Sequence, residues 1–472
     1  MFLENSMLLN IRDSLSSKNI FSDNNDYFYG EKLLRKNWKE ACYVYQDYDI
    51  HEINFELKAV CLNDNEYFSK GFIGLTLDKI INVLEFEIDG KKAPYRYDNS
   101  LIEFDIHLGN FESNQIHVKY KESENLTIFE KKERKLFKSD CYLLSEKLKG
   151  QNAIFTLIIK CDYEIIWFEK YYLAKIKENV YRWGGKVPTE GLKFLVKMSR
   201  KTAKFDFDIT EGVESLNHLP LKDTTLTIHS HFIGGNNEIS NIKTYSEQTK
   251  QIEYDKNNGK YILKFIETNS YYGEFNIKGT LINRCRGEWK CDLTKEQIEK
   301  EYPDDYKYNK EGFKNIANTI ISNYDKLHEK EKIKVTDFVK IGEWIKDNIK
   351  YDPTYAGKNE ITATEVYNNE AGVCHHFTKL YNAFLYSLGY ECIYVSGFVI
   401  EKKDCFNDKD RHSWSLVKVN DKWLPFDPTW GIFSGKLPVC HIFEHYFSSG
   451  SSIKAVDTVK FRENKVEGIF IE

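Results

Sequence analysis

Hydrophobic and polar residues alternate along much of the chain up to about residue 290, and beyond it the apolar positions fall at helical three-and-four spacing. Alternation sets in near His51. In "HEINFELKAV", Ile53, Phe55 and Leu57 lie on one side. "NVLEFEIDGKKAPYRYDNSLIEFDIHLG" holds two or three strands with Asp89-Gly90 as a turn, and "NQIHVKY" is another. "AIFTLIIKCDY", "AKFDFDI", "TTLTIHSHFI", "KQIEYD", "KYILKFIE" and "GEFNIKGTLI" continue the same style. Residues 1–45 are polar and mixed, a lead-in of short helices or loose chain. This spacing predicts one β-rich, sandwich-like domain over 46–145 and a second over 146–294.

After Thr294, "GFKNIANTIISNY" and "VTDFVKIGEWIKDNIKY" read as amphipathic helices, the second with Phe338, Ile341, Trp344, Ile345 and Ile349 as its core stripe. From Cys374 onward the pattern gives a helix and then three strands. A third domain is expected over 295–472, making an α+β fold in which two β-rich domains precede a mixed core.

Composition narrows the class. The 472 residues are 41% hydrophobic and 15% aromatic, ample for packed cores, and 8 Pro with 26 Gly argue against long disordered linkers. The net charge of −5 is well mixed and contains no basic block fit for nucleic acid. "KKERK" at 131–135 reads as a solvated loop or helix end. Met7–Ile11 is too short for a signal-peptide core, and the most apolar window, Ala153–Ile159, is far below the ~20 residues of a membrane helix. A soluble cytoplasmic protein with no membrane partner is expected. Ten cysteines without a CxxC pair make neither a disulfide scaffold nor a usual zinc spacing. Each one apart from Cys374 reads as a small buried hydrophobe.

Cys374 differs because "NNEAGVCHHFTKLYNAFLYSLGYECIYVSGF" places it where a loop becomes a helix. Phe377, Leu380, Tyr381, Phe384, Leu385 and Leu388 form the apolar face, and Gly389 stops the helix. A helix N-terminus lowers a thiol's pKa, and its unpaired N–H groups can hold an oxyanion. A buried loop cysteine is the plain alternative. In "RHSWSLVKVNDKWLPFDPTWG", two strand-like runs flank Asn420-Asp421. A two-residue turn there sets Val419 opposite Lys422 and puts His412, Trp414, Asp427 and Thr429 on one face. His412 and Asp427 are then diagonal neighbours, roughly 7 Å apart at Cβ. A three-residue turn would send Asp427 to the other face. Such a pair suits a base and its orienting acid.

These blocks, with the upstream "IGEWIKDNIKYD", strongly resemble the transglutaminase-like superfamily over roughly residues 312–435. The resemblance implies a papain-type Cys-His-Asp core with Cys374 as nucleophile, His412 as general base and Asp427 as orienting acid. It also implies thiol acyl chemistry on protein or peptide amide bonds, with no cofactor and no metal. A cysteine peptidase or amidase is the favoured reading. A protein-glutamine transglutaminase with an amine acceptor and a non-catalytic interaction module are the alternatives. The β-rich domains would present substrates or bind a protein partner. The superfamily often follows its Asp with Pro, Thr and Trp, as Pro428, Thr429 and Trp430 do here. The departure is His375-His376, where relatives often have a polar or aromatic residue and then a small one. Asn368, Asn369 and Tyr351 are candidates for oxyanion help.

Two rival signals remain. "HIFEH" at His441–His445 matches the inverted zinc-protease pattern, with Glu444 as base, but reads better as a C-terminal helix packing Ile442, Phe443, Tyr446 and Phe447. "HSH" at His229–His231 reads as a solvated strand face beside Thr225 and Thr227.

Overall fold

The structure is a computed structural model that describes residues 33–470 apart from 46–47, 60–67, 75–78, 99–100, 110, 125–135, 145–147, 170–172, 216–219, 221–224, 230–231, 233–234, 246–248, 256–259, 266–270, 292, 301–308, 328–334, 401–404 and 447–458. The Met7–Ile11 run, the "KKERK" segment and most of "HSH" lie outside the described residues. The contacts divide the chain into two compact units. One comprises Met1–Asn125, Cys141–Cys161 and Lys170–Phe194, and the other Leu126–Asp140, Asp162–Glu169 and Leu195–Glu472.

The first unit contains an eight-stranded sheet of β1 (Leu33–Val44), β2 (Asp49–Ala59), β3 (Lys79–Ile88), β4 (Lys91–Lys92), β5 (Ser113–Glu124), β6 (Asn152–Ile159), β7 (Ala174–Lys177) and β8 (Val180–Lys186). Its order is β7-β8-β6-β1-β2-β5-β3-β4. Ile53, Phe55 and Leu57 of β2 face inward as the alternation predicts, and pack with Phe86, Ile102, Phe104, Ile116 and Val118. Fully burying each such side chain contributes about 1.5–3 kcal/mol. Asp89 and Gly90 both have positive φ, as a two-residue hairpin turn requires.

β1 is a correction. It lies where short helices or loose chain are expected, yet it pairs with β2 and with β6. Its buried face carries Glu40, Cys42 and Val44. A carboxylate in the inward row breaks the apolar alternation that would have announced the strand.

In the second unit, β9 (Thr202–Ser215), β10 (Asn237–Tyr245) and β11 (Tyr272–Arg284) join two later strands, β13 (Cys405–Asn407) and β17 (Val459–Phe470). The five-stranded order is β10-β11-β9-β17-β13. Between them in sequence come α1 (Lys310–Leu327), α2 (Asp337–Asn348), α3 (Ala363–Asn369), α4 (Cys374–Ser387) and a four-stranded sheet. That sheet comprises β12 (Cys392–Val399), β14 (Arg411–Val419), β15 (Lys422–Phe426) and β16 (His441–Tyr446), in the order β15-β14-β12-β16. Phe205 and Ile277 of the five-stranded sheet share one hydrophobic cluster with Ile341, Phe384, Trp414 and Phe443.

The region is mixed, with helices packed beside strands, while the described residues as a whole are mostly strand. α2 buries Phe338, Ile341 and Ile345, and Trp344 is partly buried against the same core. The "HIFEH" segment is strand β16, not the expected helix, and pairs with β12. Four consecutive positions, His441 to Glu444, are buried on both faces of this strand, so neither alternation nor a helical stripe is visible in it.

Candidate active site

α4 begins at Cys374 because the backbone before it is pinned. α3 opens on a capping box in which Thr362 and Glu365 satisfy one another's backbone N–H groups, and it ends at Glu370 with φ of 48°. Lys350 and Tyr351 then pair in parallel with Ala371 and Gly372. Val373 is the N-cap, in an extended conformation. A valine side chain accepts no hydrogen bond, and its backbone N–H is instead taken by His376 Nδ1 at 3.2 Å. The other ring nitrogen, Nε2, lies 2.9 Å from the Lys358 carbonyl. That pair of contacts fixes His376 as the neutral Nε2–H tautomer, and burial lowers its pKa accordingly. His376 is therefore a cap of the helix that carries Cys374. Burial, with His376 and Lys379 nearby, pushes His375 down to about 4.

From Cys374 the helix buries Phe377, Leu380, Tyr381, Phe384 and Leu385. It ends in a reversed turn at Gly389, φ 94°, where Tyr390 N–H donates to the Leu385 carbonyl. His376 and Phe377 N–H both donate to the Val373 carbonyl, so the first two N–H groups of the helix, those of Cys374 and His375, point beyond its end.

His412 and Asp427 come together through the hairpin. Asn420 and Asp421 have φ of 49° and 61°, and Val419 pairs with Lys422, the register of a two-residue turn. Pairing continues to Ser415 opposite Phe426. Beyond it the chain closes a short loop, with an antiparallel bridge between Asp427 and Ile432. Asp427 Oδ1 accepts the N–H groups of Thr429 at 2.8 Å and Trp430 at 3.0 Å, which is what the "DPTWG" sequence builds. Oδ2 is left to face inward, 2.8 Å from His412 Nε2. The Cys374 side chain acts on the same imidazole and helps to raise its pKa, and Nδ1 is the ring nitrogen that Asp427 does not engage.

The electrostatics follow from this geometry. Burial alone would lower the His412 pKa, but the charge of Asp427 and the hydrogen bonds to Asp427 and Cys374 outweigh it and push it up to about 10. Burial alone would raise that of Asp427, but His412 and a hydrogen bond from His441 hold it well below the usual carboxylate range. His441, singled out in the sequence only within the zinc-protease pattern, is the residue whose contact with Asp427 the sequence did not reveal. Its Nε2 lies 2.9 Å from Asp427 Oδ2, so one oxygen serves two imidazoles. Burial lowers its pKa, and the neighbouring His412 opposes its protonation further. Asn283 of β11 fixes this stretch by donating to the carbonyls of Val439 and His441, both at 2.8 Å. Trp430 closes over the pair, 4.8 Å from the His441 ring and 6.2 Å from that of His412.

The zinc pattern of "HIFEH" is not assembled. His441 is engaged with Asp427, while Glu444 pairs with Arg411 at 2.5 Å and with His445 at 3.3 Å. The group of possible metal donors here is His412, Asp427 and His441. It does not fit a resident metal, because both imidazoles close on one carboxylate oxygen at 2.8 and 2.9 Å, nearer than the roughly 3.3 Å that separates neighbouring donors around a bound ion. Of the residues considered for oxyanion help, Asn368 and Asn369 are exposed at the end of α3, and Tyr351 is 37% exposed. Tyr394 of β12 is closer to the chemistry. Burial raises its pKa, the Cys374 side chain adds to the effect, and its hydroxyl meets Ser413 Oγ at 2.5 Å.

The model of the transglutaminase-like superfamily matches residues 314–428, a span that holds Cys374, His412 and Asp427. No curated protein matches the chain in sequence. Among solved structures, a Cytophaga hutchinsonii protein proposed to be a cysteine protease is 17% identical with a TM-score of 0.35, over 57% of this chain and 91% of that one. The M1 zinc metallopeptidase of Deinococcus radiodurans is 10% identical with a TM-score of 0.25, over 37% of this chain and 43% of that one. Native leukotriene A4 hydrolase from Saccharomyces cerevisiae is 14% identical with a TM-score of 0.25, over 42% and 33%. The chain thus spans less than half the length of these last two. Likenesses this weak carry no functional argument.

Proposed function

We propose, from the premise that residues 314–428 belong to the transglutaminase-like superfamily, that this chain is a thiol-dependent hydrolase of protein or peptide amide bonds. The observation that carries the reading is the 2.8 Å contact between His412 and Asp427, with the Cys374 side chain acting on the same imidazole from the start of α4. His412, raised to about 10, already holds the thiol proton as imidazolium at neutral pH, and the sulfur attacks the amide carbonyl carbon as the thiolate. The oxyanion so formed is stabilised by the N–H groups at the start of α4. His412 returns the proton to the departing amine, leaving a thioester on Cys374. It then activates water, whose attack releases the acid and restores the thiol. Asp427 keeps the imidazole in register and stabilises its charged form. The β-rich first unit would present substrate or bind a protein partner.

The test is a peptide library incubated with the purified full chain, with and without a primary amine, beside Cys374→Ala. Free acids at the cleaved position, absent with Cys374→Ala, support hydrolysis. Amides of the added amine at glutamine side chains would move the assignment to amine transfer. No product in either arm, with a Cys374 no more reactive to iodoacetamide than the other cysteines, would leave the core an interaction module.

A further inference from the structure

In the first unit, the buried face that β1, β2 and β5 share carries polar side chains where an apolar core is the rule. Antiparallel pairing sets Cys42 opposite His51 and His51 opposite Tyr120. In the next row Val44 faces Asp49, and Asp49 faces Glu122. Cys42 is 0% exposed, Asp49 3%, His51 5% and Glu122 4%. The donor atoms converge: one from each of Cys42, Asp49 and His51 lies within 4.8 Å of the others. Cys42 Sγ is 3.7 Å from His51 Nε2, and Glu122 Oε2 is 3.5 Å from the same nitrogen.

Those separations are close to the edges of a metal's coordination shell. Tetrahedral zinc holds sulfur at ~2.3 Å and nitrogen or oxygen at ~2.0–2.1 Å, which puts neighbouring donors about 3.3–3.6 Å apart. The groups around the donors match as well. His51 turns its other nitrogen, Nδ1, to Glu40 Oε1 at 3.0 Å, and Trp38 Nε1 donates to Glu40 at 3.2 Å. A carboxylate behind a ligating imidazole fixes the tautomer that presents Nε2 to the ion. Tyr142 donates to Asp49 at 3.2 Å, and Tyr120 stacks on the His51 ring at 4.9 Å.

The same Cys42–His51–Glu40 line has the connectivity of a second nucleophilic triad. Its thiol is wholly inaccessible, however, and a nucleophile must meet a substrate, whereas an ion can be enclosed as the strands pair. We infer that Cys42, His51 and Asp49, with Glu122 beside the His51 ring, form a structural site for a borderline divalent cation of the zinc class, joining β1, β2 and β5. The thiolate and imidazole exclude calcium and magnesium, which take oxygen ligands. The donors are enclosed and leave no position that a substrate could reach, so the site is structural.

The experiment uses the full chain with Cys374→Ala and Cys440→Ala, which removes the two other thiols that the described residues place beside a histidine. The chain is stripped with chelator and titrated with Co²⁺. The expected result is one equivalent bound, with a thiolate-to-cobalt absorption band in the near ultraviolet, and a melting temperature raised by Zn²⁺. Cys42→Ser should remove the band. Glu40→Gln, which leaves every ligand in place, should weaken Co²⁺ binding by about 10–100-fold. Absence of cobalt binding, or a band unchanged by Cys42→Ser, overturns the site. If Cys42→Ser does not fold, equal cobalt affinity in Glu40→Gln, Asp49→Asn and the parent overturns it instead.

Discussion

Asp427 spends all its acceptor capacity on four donors, two backbone N–H groups on Oδ1 and two imidazoles on Oδ2. Asp427→Asn keeps the shape but loses the charge that holds His412 protonated. Turnover should fall by about 10² to 10³, less than the ~10⁴ of a serine triad, because a thiol needs less help from its base. Combined with Cys374→Ala, neither Asp427→Asn nor His412→Ala should add its full effect, since the groups act as one unit. His441 is a positioning residue. His441→Leu should lower kcat roughly tenfold with little change in KM, and His441→Gln, which can still donate, should recover most of it. Steady-state kinetics on whichever peptide the library yields checks the series, and a kcat for His441→Leu equal to the parent's would refute the role. Cys374 was legible as a candidate from its place at a helix start, and His412 and Asp427 from the turn length and face arithmetic of the hairpin, while the family resemblance supplied their roles. His441 was not, since its partner lies on another strand of the sheet and "HIFEH" carries no alternation. Cys42 was missed for a related reason: its meaning depends on His51 across the sheet.

At the level of elements, the hairpin turn sets the register of everything after it. Both turn residues need positive φ, which Asn and Asp tolerate and β-branched residues do not. Asp421→Gly should be neutral within about 0.5 kcal/mol, and Asp421→Val should cost roughly 1–2 kcal/mol with the site geometry retained. One glycine inserted between Asn420 and Asp421 should instead abolish turnover, because it changes which face Asp427 reaches. Chemical unfolding together with the peptide assay separates the two outcomes, and an active insertion variant would contradict the register argument. The strands of "KYILKFIE" and "GEFNIKGTLI" were readable from alternation, and α4 from its stripe and Gly389. What could not be read is close approach. At Gly397 an added Cβ would fall onto the Ile442 carbonyl and the Trp414 ring, so β12 tolerates no side chain at this position between β14 and β16. Nothing local to Gly397 announces that.

For the whole molecule, the buried histidines make stability depend on pH. His412 is raised, so its contribution is fully present below the ordinary histidine pKa of about 6.5 and is lost as pH rises through about 10. Asp427 is depressed, so its contribution is present above about 3.9 and is lost as pH falls below that. His441 is also lowered, and its share is lost on the acid side of about 6.5. The second unit should therefore be most stable near neutrality and should loosen steadily on the alkaline side. Hydrogen exchange of the β12 and β14 amides at about pH 7 and about pH 10 measures this. The alkaline loss of protection should be smaller in His412→Gln, and an equal loss in both would contradict the assignment.

The pairing of β9 with β17, which joins Phe205 to Phe470, also has a consequence for how the protein is made. A ribosome extends a chain by about 5–20 residues each second. β9 emerges tens of seconds before its neighbour exists, and for that interval one long edge, with Phe205, Phe207 and Ile209 beside it, has no native partner on that side. The helices and hairpin that carry Cys374, His412 and Asp427 are synthesised within this waiting period. The second unit is thus set to close after translation has passed it, and the nascent chain is exposed to aggregation and to chaperones until β17 arrives.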